Sequence, residues 1–187
     1  MSGLGRLQGQ CVRRCLPAFL STCCILGGCA PDIFPPAELK RVDRHFDFTR
    51  WRTVPSQIPP TKIELGGRVI ETQTIGNTIT IVTAQLPIVR SPAYGPKQAK
   101  SKGEFAVTFQ GQIDPAFLHT GNRLIVIGTT RGTKMASVDD VMRSLPLIEA
   151  RCLHIWKTGN VDIADYPSSG AGYGVLREET FCASDTR

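Results

Sequence analysis

The stretch KIELGGRVIETQTIGNTITIVTAQLPIV, residues 62–89, decides the fold class. Both of its halves are rich in Ile, Val and Thr, residues that fit a pleated, half-buried surface. The Gly76-Asn77 pair between them supplies a tight turn, so the two halves predict a β-hairpin. Gly66-Gly67 inside the first half predicts a bulge or a sharp bend.

The β pattern continues downstream. In EFAVTFQG, residues 104–111, Phe105, Val107 and Phe109 alternate onto one face. RLIVIGTTRG, residues 123–132, is a near-continuous apolar run, which predicts burial on both faces. SVDDVMRS, residues 137–144, reads as a charged linker with a helical turn, and LPLIEARCLHIWKTG, residues 145–159, as the last strand. Beyond Gly159 the abundance of Gly, Ser and Asp predicts little regular structure. Upstream, Leu39, Val42 and Phe46 fall at i, i+3 and i+7, predicting a short amphipathic helix that Pro55, Pro59 and Pro60 terminate. Five β-rich runs with little helix predict a mainly all-β domain, a small barrel or sandwich. They are not the strands of a membrane-spanning barrel, which needs about eight or more, flanked by aromatic girdles.

The N-terminus follows a different rule. Residues 1–14 are small, polar and basic, and CLPAFLSTCCILGG, residues 15–28, carries no charge. As a helix these 14 residues extend about 21 Å, short of the roughly 30 Å hydrocarbon core. A basic start, a short apolar middle and small residues at the end make an export signal. Leu26-Gly27-Gly28-Cys29 resembles the lipobox of bacterial lipoproteins, in which the signal is cut before a cysteine that carries acyl chains. That resemblance implies cleavage between Gly28 and Cys29, lipidation of Cys29 and, with Ala30 and no Asp in the next position, sorting to the outer membrane. Cys23, Cys24 and Cys29 offer neither a CxxC pair nor a nearby His for a metal site. The Arg13-Arg14 pair matches a twin-arginine signal poorly.

Charge and cysteine usage agree with removal of this segment. Arg6, Arg13 and Arg14 lie in the first 28 residues, which hold no Asp or Glu, so cleavage lowers the net charge from +6 to +3. No remaining run of like charge reads as a nucleic-acid patch. Of seven cysteines, only Cys152 and Cys182 lie beyond Cys29, and an oxidising periplasm permits a disulfide between them. Sequence spacing leaves both the bonded and the free state open.

The order of motifs carries a family resemblance. Gly66-Gly67-Arg68-Val69-Ile70, then ITIVTAQLPI, Gly103-Glu104-Phe105, Asp114-Pro115, the strand Gly121 to Gly128 and Leu153-His154-Ile155-Trp156 resemble the Slp family of outer-membrane lipoproteins. The resemblance covers residues 63 to 157 and, through the lipobox, the export signal. It implies a starvation- or stress-associated lipoprotein with no assigned catalysis and a compact OB-like β-barrel of five to six strands with a short N-terminal helix.

One constellation invites chemistry. Cys152 and His154 are two apart on a strand and share a face, as a thiol nucleophile with its base or a ligand pair would. The sequence supplies no orienting third group, and the competing reading is a half-buried strand. GTTRGTK, residues 128–134, lacks the spacing of a phosphate loop. Catalytic, cofactor and metal residues are therefore assigned to none. The expected organisation is a signal at 1–28, a lipid-anchored tether at 29–36, a β-domain at 37–160 and a weakly ordered tail at 161–187. The expected role is non-enzymatic, structural or binding, in envelope maintenance, with the body facing the periplasm and outer-membrane lipid as the partner through Cys29. A periplasmic small-ligand binder and an envelope thiol enzyme using Cys152 and His154 are the alternatives.

Overall fold

The computed structural model describes residues 32–90, 92, 100–159 and 176–184. Among these, six strands form one sheet: β1 Lys62–Ile75, β2 Thr78–Leu86, β3 Glu104–Gln110, β4 Arg123–Val138, β5 Val141–Trp156 and β6 Glu178–Cys182. Their order is β3-β2-β1-β4-β5-β6, and an additional pairing of β3 with β5 bonds the first five into a ring. That closing pair is parallel, Ala106 to Phe109 against Leu147 to Ala150, while every other ladder is antiparallel. β5 thus shares one edge between two partners: β3 along residues 147–150 and β6 along 152–156. The mainly β reading of five to six strands holds, and the sheet is bonded in a ring.

The alternation expected of each strand fills the ring. Leu65, Val69, Ile79, Ile81, Phe105, Val107, Phe109, Leu124, Val126, Leu153 and Ile155 belong to one buried cluster. Helix α2, Phe48–Thr53, adds Phe48 and Trp51 to it, and its first turn is capped by the Asp47 side chain accepting from Arg50 N at 3.1 Å. Phe48 and Trp51 meet Phe105 edge-on or tilted at 5.9 and 6.5 Å between ring centres.

Two irregularities set which side chains face where. In the β4–β5 ladder Ile127 pairs with Cys152 and Gly128 with Ala150, so Arg151 is an extra residue. It shifts the phase of β5: Ile148 and Ala150 face inward before it, Leu153 and Ile155 after it. Cys152 and Trp156 consequently join a second cluster, on the outer face, with Phe34, Ile125 and Ile127. In β1 the register shifts between Val69 and Glu71, just after the glycine pair. The glycines themselves allow close approach. A Cβ on Gly66 would stand 2.8 Å from the Leu86 carbonyl oxygen, and one on Gly67 2.2 Å from Thr83 Cγ2 and 2.9 Å from the Ala84 oxygen.

Three expectations are corrected. The predicted helix through Leu39, Val42 and Phe46 is a single four-residue helix, α1 Pro36–Leu39, after which Arg41 takes φ 61° and Asp43 bridges to Ile63 of β1. Leu39 and Val42 pack on the outer cluster and Phe46 on the inner one, so their helical spacing reflects two covered surfaces and not one helix face. The linker at 137–144 is the end of a long hairpin, with Asp139 and Asp140 at φ 50° and 60° making the turn between β4 and β5. The tail after Gly159 contributes β6; residues 160–175 and 185–187 lie outside the described residues.

Replacing Gly67 with alanine forces β1 away from the β2 backbone, and overpacking of this kind costs about 1–3 kcal/mol. A fall in the urea midpoint of G67A is the expected result, and an unchanged midpoint contradicts the close-approach argument.

Candidate functional site

The outer face of β4, β5 and β6 is the best-built feature outside the ring's interior. Ile125 and Ile127 are apolar side chains that point away from the interior, and they are covered by the chain that enters the domain. Phe34, 1% exposed, is the centre of that cover, flanked by Ile33, Leu39, Val42 and, from the other end of the chain, Leu176. Residues 32–36, read from sequence as tether, are therefore packed into the body.

Polar contacts fix the same segment. Glu38 of α1 reaches Lys62 Nζ on β1 at 3.1 Å and Arg151 Nε on β5 at 3.0 Å. Burial alone would raise its pKa, but the hydrogen bonds and charges of Arg151 and Lys62 outweigh this and hold it below the ordinary carboxylate value. Asp32 lies 4.0 Å from Arg90, whose other nitrogen contacts Glu64 of β1 at 3.1 Å. The Thr180 hydroxyl of β6 donates to the Ile33 carbonyl at 3.0 Å.

His154 sits beneath this seam. Its Nδ1 is 2.6 Å from Thr180 Oγ1, and because the Thr180 proton is committed to Ile33, Nδ1 is the donor in that pair. In the neutral ring Nε2 then carries no proton, and it faces the Glu178 carboxylate at 3.5 Å. Burial pushes the His154 pKa down, and Glu178 opposes the shift without cancelling it. The ring of Trp156 packs edge-on against His154 at 4.2 Å.

Cys152 stands opposite Cys182 in the β5–β6 ladder, and their sulfurs are bonded, with Cα atoms 4.1 Å apart. The shared face of Cys152 and His154 is as the spacing implied, but the pair makes no nucleophile: Cys152 has no free thiol, and His154 is 4% exposed. Among the described residues no group of three His, Cys, Asp or Glu is arranged to hold a metal. GTTRGTK is part of β4 and not a loop, with Arg131 paired to Glu149 at 2.8 Å. Gly28 and Cys29 lie outside the described residues. Away from the seam, a cleft of about 410 Å³ separates the β1–β2 hairpin from the end of the β4–β5 hairpin, with Thr72, Thr80, Met135 and Met142 in its walls.

The model of the Slp family of outer membrane lipoproteins matches residues 26–179, from Leu26 into β6. The chain belongs to that family. A Haemophilus influenzae protein described only as uncharacterized is 27% identical over 154 residues, covering 80% of this Slp-family chain and 79% of its own length. No solved structure matches. Membership makes this an outer membrane lipoprotein, and among the described residues no helix is long and apolar enough to cross a membrane.

Acid should loosen the seam in a defined order. With its folded pKa lowered below 6.5, His154 stabilises the fold fully above pH 6.5, where both states are neutral, and that stability is lost as pH falls below it. Glu38, lowered from 4.5, loses its contribution only below pH 4.5. The urea midpoint is expected to fall between pH 7 and 5, and H154Q to flatten that slope. An equal slope in both proteins contradicts the assignment.

Proposed function

We propose that the protein is a non-enzymatic lipoprotein whose signal is cut between Gly28 and Cys29 and whose β-body is held by acylated Cys29 on the periplasmic face of the outer membrane. The observation that carries this reading is continuity: the family match starts at Leu26, and the chain is already packed against the body at Ile33 and Phe34. One acyl chain gives marginal attachment, whereas two or more make release negligible, at about 0.8 kcal/mol per buried methylene. The Cys152–Cys182 bond supports export, since such bonds persist in oxidising compartments.

Within the envelope the role is structural or binding, in maintenance under stress, with membrane lipid as the partner through Cys29 and no nucleic acid. The cleft beside Met135 and Met142 favours a second reading, a small-ligand-binding domain. Its walls combine apolar side chains with threonine hydroxyls, as ligand sites do.

Intact-mass measurement of the native protein tests the anchor. The expected mass is that of residues 29–187 plus acyl chains, with two hydrogens missing for the disulfide. C29A should remain unprocessed and lose detergent-phase partitioning; normal processing and partitioning of that variant would overturn the proposal.

A further inference from the structure

The segment Pro87-Ile88-Val89-Arg90 leaves β2 and crosses the outer face of β1 beside the entering chain. Ile88 lies directly over Gly66: a Cβ on that glycine would be 3.0 Å from the Ile88 backbone. The Pro87 carbonyl accepts from Arg123 at 3.3 Å, and Arg90 reaches both Glu64 and Asp32. Ile88 and Val89 nevertheless stay 42% and 41% exposed, two large apolar side chains next to each other in the chain.

Their place relative to the anchor is what gives them a partner. Asp32 is three peptide links from Cys29, and consecutive Cα atoms are about 3.8 Å apart, so Asp32 lies within about 11 Å of Cys29 whatever path the two intervening residues take. The headgroup layer on each side of a bilayer is about 5–8 Å deep. An acyl-anchored Cys29 therefore holds Asp32, and Arg90 in contact with it, at the edge of that layer. We propose that Ile88 and Val89, with Arg90 and Asp32 beside them, form the surface through which the body rests on the phospholipid headgroup layer that holds its own anchor. This rests on the lipidation reading above.

Charges of both signs lie beside the two apolar side chains: Arg90 stands between Asp32 and Glu64, and Arg68 and Arg123 are ladder partners on the same outer face. Ile75, at the end of β1, is also exposed; Met135, Val141 and Met142 belong to the far end of the β4–β5 hairpin. They serve as a control, because nothing ties that end to the anchor.

Tryptophan fluorescence reads the contact. Trp51 and Trp156 are 0% and 1% exposed, so they give a constant background against which a surface tryptophan reports lipid proximity. Mature protein carrying Val89→Trp or Met142→Trp is reconstituted into phosphatidylethanolamine–phosphatidylglycerol vesicles with and without brominated acyl chains. Loss of the V89W emission in brominated vesicles, without a matching loss for M142W, is the expected result. Protein that floats with the vesicles but shows no greater loss for V89W than for M142W overturns the resting surface while leaving the anchor intact. Protein without acyl mass at Cys29 that fails to float overturns both. Ile88→Trp repeats the measurement should the first variant fold poorly.

Discussion

Ile125 and Ile127 alternate with Leu124 and Val126 along β4, so one strand presents large aliphatic side chains to both sides of the sheet. Each such side chain left in water would forgo about 1.5–3 kcal/mol. The ring solves one side by closing on itself. The other side is solved by the first described residues of the chain, with Phe34 as the large group laid across the isoleucines. The first described segment of the chain is thereby part of the core.

The extra residue at Arg151 makes this arrangement possible. By shifting the phase of β5 it turns Cys152, His154 and Trp156 outward, under the entering segment, and frees Arg151 to reach Glu38 on α1. β6 then adds to the edge of β5 that β3 has left, bonded through Cys152–Cys182 and linked to Ile33 through Thr180. The first and last described parts of the body are thus held together at one place. A buried histidine, His154, lies within that junction.

Strand identity was legible because period-two patterns are local: Phe105, Val107 and Phe109 go inward as their spacing implies, and the two-sided burial of residues 124–128 follows from an unbroken apolar run. The turn at Asp139-Asp140 was hidden because two adjacent acids look like a solvated linker, although such residues tolerate the left-handed backbone a two-residue turn requires. β6 was illegible because its five residues form a strand only against β5. Phe34 was missed for a related reason. Its proline neighbours suggested a tether, and the signal that could have found it was an Ile-Phe pair needing cover beside a strand, β4, with an outer face to cover.

These features describe an Slp-family body in which the first described residues, from Ile33 onward, are built into the outer face of the ring. Amide hydrogen exchange on the mature protein tests that claim most directly. If the entering segment is part of the core, Asp43 NH, bonded to the Lys62 carbonyl at 2.8 Å, and Glu38 NH, bonded to the Pro35 carbonyl at 2.9 Å, exchange far more slowly than an unstructured chain. Exchange of residues 33–43 at the unstructured rate while β4 and β5 remain protected would contradict it.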